Sequence, residues 1–251
     1  PTTRRAVRSS HHLVAVSDFT GREVSDYYGI SPDRISVVPN GVDLKRFHDN
    51  WDEQYLQGIK DKYGLPSSFY LYVGPFSRKK NLALIIETYS RLTETIDTIR
   101  PVVVAGDPRR NDLYYKTMEQ LTASRRDDLF HFIGFVPDED LPPLTAAAEA
   151  LIYPSLYEGF GLPILEAMAS GTPVLAADSS SIPEVAGDAA ILFDPSKTDS
   201  LAAALNTLWV SGCREDLKEK GLARSRRFTW KKSAEGLAAV MTGEYGNMDK
   251  T

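Results

Sequence analysis

From residue 69 onward the chain alternates short apolar runs with longer stretches of helical periodicity. Phe69–Val73, Arg100–Ala105, Leu129–Ile133, Ala150–Tyr153, Thr172–Ala176 and Ala190–Phe193 are four to six residues long and apolar enough for buried strands. Between them Leu82, Ile85, Ile86 and Tyr89 recur at helical spacing, and Leu113–Ser124 reads as a further helix. Another is predicted from Asp138 to Glu149, with Asp138 as its cap and Leu141 and Leu144 inward. Beyond the last strand, Leu201–Trp209, Glu215–Arg227 and Lys232–Met241 read as helices. Strand and helix in turn, joined by short connections, predict a parallel sheet covered on both faces: an α/β, Rossmann-like doubly wound fold. Such sheets bind ligands at the carboxyl ends of their strands.

The first 66 residues follow a looser pattern. Residues 1–10 are polar and basic, a helix or a loose end with Arg4, Arg5 and Arg8 in solvent. His12–Val16 and Ile35–Val38 read as strands around a helix capped by Ser17, stopped by Gly29, and turning Val24 and Tyr27 or Tyr28 inward. Pro39–Asp43 is a turn. A polar connector follows, with a short helix from Glu53 to Tyr63.

Composition narrows the function classes. Hydrophobic residues make up 42% and charged residues 25%, as in ordinary soluble domains. A net charge of -5 and a pI near 5.5 argue against nucleic-acid binding. The single cysteine, Cys213, fits a reducing, cytoplasmic setting and supplies no Cys/His cluster for zinc. No stretch approaches the ~18 apolar residues of a spanning helix, and no signal peptide is visible. Membrane association is expected to be peripheral at most, at the inner face. The chain begins at Pro1 without methionine, so an upstream portion is expected to have been removed or to lie on another chain.

Chemistry concentrates in residues 150–175, a strand, a glycine loop, a helix and a second strand. Glu158-Gly-Phe-Gly161 lets the backbone turn tightly and approach a ligand, and Pro163 suits the start of a helix. Gly171 and Pro173 end that helix. Its N-terminus, facing the glycine loop, is a ready site for a phosphate or diphosphate. Glu158 and Glu166 bracket the loop. Carboxylates beside phosphates should face hydroxyls, such as those of a ribose and a sugar. Glu166 taken alone is placed equally well by the preference of acids for helix starts. After Val73 comes Gly74, then Arg78, Lys79 and Lys80, a second candidate phosphate site or a loop kept soluble by its charges. His131, inside an apolar run, reads as a core or edge residue. No dinucleotide fingerprint or P-loop occurs.

The run Glu158-Gly-Phe-Gly-Leu-Pro-Ile-Leu-Glu166, followed by Ala-Met-Ala-Ser-Gly-Thr-Pro-Val174, resembles the paired-glutamate motif of retaining GT-B glycosyltransferases, family 4. Val38-Pro-Asn-Gly-Val-Asp43 also resembles that family, and the likeness covers most of residues 10–240. It implies the C-terminal half of a GT-B fold with a remnant of the N-terminal domain. Residues 1–50 would close that domain, 51–66 connect, 67–227 bind the donor, and 228–251 form a helix crossing back. The donor would be a nucleotide-diphosphate sugar, GDP-mannose or a UDP-sugar. Its hexose would pass with retention to a glycan or lipid-linked acceptor, without a metal or other cofactor. The acceptor site would sit in an N-terminal domain upstream or on a separate chain.

By the same resemblance Lys79 and Lys80 meet the diphosphate, with Gly74 and Arg78 beside them. Many members carry arginine directly after the glycine, where this chain has Pro75, so the division of labour among the three basics stays open. Phe135 and Val136 hold the base through backbone groups, and Gly159, Phe160, Gly161 and Leu162 present amides. Glu166 meets the ribose, and Glu158 orients the sugar, acting with Lys80 in catalysis. Ser179–Gly187 resembles the loop beside the sugar pocket, with Glu184 at the surface, and Trp230 reads as a packing anchor. The alternatives are a nucleotide-sugar-binding module without activity, or an epimerase or phosphorylase on the same fold.

Overall fold

The computed structural model describes residues 2–92, 99–106, 112–124 and 127–243. Helix α1 (Thr2–Ser9) leads into β1 (Leu13–Ala15), α2 (Asp18–Tyr28) and β2 (Ile35–Val37); β1 and β2 pair in parallel, Leu13 against Ile35. Gly21 brings α2 onto this pair, since a Cβ there would touch Ile35, Val37 and Ala15. Of the two adjacent tyrosines, Tyr28 is half-buried and Tyr27 is 81% exposed. Helix α3 (Glu53–Tyr63) is capped by Asp52 and closed by left-handed Gly64.

The remaining strands are β3 (Tyr70–Val73), β4 (Val102–Ala105), β5 (Phe130–Gly134), β6 (Ala150–Tyr153), β7 (Val174–Ala177) and β8 (Ile191–Phe193). They form one parallel sheet in the order β5-β4-β3-β6-β7-β8. From β3 the chain builds outward to β5, then returns and builds outward from β6 to β8. The order therefore reverses between β3 and β6, a switch point of the kind at whose carboxyl ends such sheets bind ligands. The connecting and covering helices are α4 (Leu82–Arg91), α5 (Asp112–Ser124), α6 (Leu141–Ala146), α7 (Leu162–Ala169), α8 (Ile182–Ala186), α9 (Thr198–Leu208), α10 (Cys213–Ser225) and α11 (Trp230–Thr242). On α4, Leu82, Ile85, Ile86 and Tyr89 are all buried, at the spacing read from the sequence. Residues of β4, β6 and β7 are buried throughout, the condition that makes their sequence a continuous apolar run.

Two local expectations change. Helix α6 spans only Leu141–Ala146, and Asp138 does not cap it. Asp140, just ahead of it, receives Lys62 Nζ at 2.6 Å and the Tyr63 hydroxyl at 2.5 Å, so its carboxylate ties α6 to α3 instead. At Glu149, the expected end of the helix, the backbone N–H already donates to Phe69 O at 2.9 Å, beside the start of β3. The packing anchor is also a different tryptophan. Trp230 is 51% exposed. Trp209 instead donates its indole N–H to the Tyr70 hydroxyl at 2.6 Å, and the guanidinium groups of Arg100 and Arg214 lie 4.6 and 4.7 Å from its ring. The start of α11 and the residues before it hold the turn at residues 39–42: Val42 N–H donates to Phe228 O at 3.0 Å and the Ser233 hydroxyl to Pro39 O at 2.6 Å. An added Cβ on Gly41 would lie 2.0 Å from Trp230 N, so only glycine fits there.

Candidate functional site: a cation–carboxylate cluster at the switch point

At the end of β3, Gly74 (φ 152°) leads through Pro75 into a 3-10 turn, Arg78–Lys80, whose Ser77 accepts the Lys80 N–H. The turn folds the Lys80 stem back over Gly74. A Cβ on Gly74 would meet it at 3.4 Å, so the missing side chain is what lets the lysine lie there. Lys80 Nζ then reaches Glu158 Oε1 at 2.7 Å and the Tyr153 hydroxyl at 2.9 Å, and sits 4.8 Å from the centre of the Tyr153 ring. Lys79 Nζ lies 3.9 Å from Glu158 Oε2. The switch point thus unites β3's basic turn with β6's terminal tyrosine and the glutamate beyond it. Arg78 stays outside the cluster: it is exposed and lines a neighbouring cavity with Phe76, Leu82 and Leu156.

Electrostatics make the cluster a committed ion pair. Burial acts to raise the Glu158 carboxyl, but Lys80, with Ser155 and Lys79 adding to it, outweighs burial and holds the group below its ordinary range. Burial pushes the Tyr153 phenol well above its ordinary value, and the Glu158 charge adds to this. Tyr153 therefore stays neutral and serves Lys80 as an acceptor.

The loop from Glu158 is held through its backbone. Glu158 N–H donates to Ser180 Oγ at 2.8 Å, and the Ser181 hydroxyl reaches the carbonyls of Glu158 and Phe160 at 2.9 and 3.0 Å. Ser17 and Thr20 donate to Gly159 O from α2 at 2.7 and 3.0 Å. The Phe160 ring is buried against Phe228, leaving only its backbone to a ligand. Gly161 (φ 108°) starts α7, whose first turn no side chain caps; Leu162 and Pro163 follow, partly buried. Gly161→Ala puts a side chain into a left-handed backbone with Ile164 Cδ1 3.3 Å away. We expect it to lower stability by about 1–3 kcal/mol in chemical denaturation.

Glu166 lies one turn into α7. Among the described residues no hydrogen bond or ion pair meets its carboxylate. Burial raises it to about 7; Asp138 pushes the same way, and Arg46 opposes. Because the folded-state value lies above the unfolded one, the group costs stability progressively as pH rises from about 4.5 to 7. Glu166→Gln should therefore stabilise the protein by about 1–3 kcal/mol at pH 8 and by little at pH 4.5, measured by urea unfolding. Arg46 also donates to Asp138 O at 2.7 Å, fixing the stretch after β5 beside α7. In that stretch Phe135 is 73% exposed and Val136 is buried, so Val136 can offer only its backbone.

Glu184 is not a free surface group. Its carboxylate accepts Asp18 N–H at 2.8 Å and Phe19 N–H at 3.1 Å, closing the N-terminus of α2. Nothing in the sequence near residue 184 signals a partner 166 residues away. Tyr153, Ser181, Thr20 and Arg46 were equally silent, each acting through a distant contact. No group of three or more His, Cys, Asp or Glu placed to hold a metal occurs among the described residues, nor any helix long and apolar enough to cross a membrane.

Fold and site together define a doubly wound α/β protein with a cation–carboxylate cluster and an uncapped helix start at its switch point. Residues 59–224 match the model of glycosyl transferases group 1, and residues 1–46 match that of Glycosyltransferase Family 4. The chain belongs to the group 1 glycosyltransferases, and its Rossmann-like sheet is the C-terminal half of a GT-B fold. It is 34% identical over 225 residues to O-antigen chain mannosyltransferase B of Escherichia coli, covering 88% of this chain and 58% of that protein. It is 31% identical to MMP alpha-(1->4)-mannosyltransferase of Mycolicibacterium hassiacum, covering 94% of this chain and 55% of that one. The chain thus spans little more than half of these relatives. A glycosyltransferase from Rickettsia africae superposes with a TM-score of 0.85 at 19% identity, covering 100% of this chain and 68% of that one. Anabaena Alr3699/HepE in complex with UDP and glucose superposes at 0.84 with 21% identity, covering 96% and 67%.

Proposed function

We propose that this chain is the donor half of a retaining hexosyltransferase that uses GDP-mannose or a UDP-sugar and a glycan or lipid-linked acceptor, with no metal. The observation that carries the reading is the Lys80–Glu158 pair at the switch point, beside an α7 start without a cap. The bond that breaks joins the sugar's anomeric carbon to the β-phosphate oxygen, so negative charge grows on the diphosphate. Lys79, Lys80 and the first amides of α7 stabilise that charge without reorganising. Glu166 accepts the ribose hydroxyls. Glu158 orients the sugar and steadies the positive charge that develops on its ring. The acceptor is held by an N-terminal domain, upstream or on a separate chain. A reducing, cytoplasmic setting suits the unpaired Cys213.

The relatives named as mannosyltransferases favour a mannose donor, and the neighbour holding UDP and glucose shows the fold accommodating a nucleotide and a sugar. The direct test is a thermal-shift panel of UDP, GDP, ADP, UDP-glucose and GDP-mannose. One nucleoside diphosphate and its sugar should raise the melting temperature with concentration. A flat response to all five overturns the reading. Retention is checked by NMR of the newly formed product, whose anomeric configuration should match the donor's. Because Glu166 must be ionised to accept both ribose hydroxyls, nucleotide affinity should tighten as pH rises from 6 to 8. That slope should vanish in Glu166→Gln, as isothermal titration would read.

A further inference from the structure

We infer that Ser17 and Thr20, held in place by Glu184, are positioning residues for the glycine loop. Helix α2 then acts as part of the donor site although it belongs to the other sheet. The inference rests on the function proposed above only for its kinetic consequence, not for its geometry.

Three successive carbonyls of the loop are engaged from two sides. Ser181 holds those of Glu158 and Phe160, while the two α2 hydroxyls hold that of Gly159. In a planar trans peptide the N–H lies opposite the C=O, so fixing a carbonyl also fixes the amide of the next residue. Securing Gly159 O toward α2 therefore aims the Phe160 N–H away from it. Securing Phe160 O does the same for Gly161 N–H, at the start of α7. A glycine loop has wide backbone freedom, and here the hydroxyl contacts restrict it at Gly159, between the anchored side chains of Glu158 and Phe160.

The α2 side of the clamp has its own foundation. Ser17 is fully buried, caps α2 by accepting Thr20 N–H at 3.0 Å, and turns its hydrogen to Gly159. Glu184 closes the next two amides of α2 and brings negative charge to the helix's positive end. Two contacts flank these: Phe19 packs edge-on against Tyr157 at 5.5 Å, and the Tyr157 hydroxyl donates to Glu23 at 3.0 Å. Any displacement of α2 must therefore move Gly159 or break its two hydrogen bonds. The site's preorganisation depends on where α2 stands.

The test uses Thr20→Val, which keeps shape and loses the hydroxyl, Thr20→Ser, which keeps it, and Glu184→Gln, in the intact protein. Hydrogen exchange followed by mass spectrometry should show peptides spanning 158–162 exchanging about tenfold faster in Thr20→Val and Glu184→Gln. Peptides from β3 and β4 should be unchanged, and Thr20→Ser should behave as the parent. This readout needs no turnover, so it stands or falls independently of the donor assignment. Where sugar-nucleotide turnover is measured, kcat should fall 10- to 100-fold in Thr20→Val with the UDP or GDP dissociation constant within twofold, and recover in Thr20→Ser. Unchanged loop exchange in Thr20→Val overturns the inference. So does equal acceleration in the core strands, which would mark a general loss of stability.

Discussion

Replacing Glu158 by glutamine should lower sugar-nucleotide turnover by roughly 10²–10³-fold, the scale of losing one preorganised charge at a reacting centre, while nucleotide binding becomes tighter. The two effects oppose each other because Glu158 and the diphosphate compete for the same two cations, Lys80 above all. Lys80 is 2.7 Å from Glu158 Oε1 and Lys79 is 3.9 Å from Oε2, so without a ligand the carboxylate occupies the ammonium groups. Glutamine keeps the shape and one acceptor oxygen but no charge. It leaves Lys80 free to turn to phosphate, and UDP or GDP should bind several-fold better. The sugar loses the anion that steadies its developing positive charge, so the gain in binding lies wholly in the ground state. Titration of the nucleotide and steady-state turnover on the same preparation separate the terms. Turnover that survives the substitution would remove Glu158 from the chemistry altogether.

The sheet was readable because β4, β6 and β7 are buried on both faces and so leave unbroken apolar runs. The helices between them carry the other period, as Leu82, Ile85, Ile86 and Tyr89 illustrate. Strand order was not readable from periodicity. It follows from pairing, and the adjacency of β3 and β6 is what brings the Gly74 turn and the Glu158 loop together. Within the site, glycines, the helix start and the charged residues stood out because each carries its signal locally. Their partnerships did not. Lys80 and Glu158 are 78 residues apart, and Glu184 reaches Asp18 across 166. A capping glutamate on another element looks, in sequence, like any surface acid. Trp230 failed in the same way: its place at a helix start is visible locally, whereas the approach of Arg100 and Arg214 to Trp209 is a tertiary event.

Lys80→Met should be the most damaging single change, and its consequences differ in kind from those at Glu158. Nucleotide affinity and turnover should fall together, the former roughly 10–100-fold and the latter at least 10²-fold, because the same ammonium serves ground state and transition state. Stability falls as well, by roughly 1–4 kcal/mol, since a largely buried carboxylate loses the cation that compensates it. The pH dependence identifies the cause. In the parent the Glu158 carboxyl is depressed, so the pair's contribution is complete above the unfolded carboxyl value and is lost as pH falls through the folded one. In Lys80→Met the opposing effect of burial dominates and the carboxyl moves above its unfolded value. The variant's deficit should then shrink as pH falls and Glu158 takes up a proton. Combining Lys80→Met with Glu158→Gln should recover most of the lost stability at pH 8 while leaving turnover abolished. Urea unfolding of the parent, both single variants and the double variant gives the coupling directly. A double variant as unstable at pH 8 as Lys80→Met alone would mean that the lysine supports the fold through Tyr153 and Gly74, and not through its charge on Glu158.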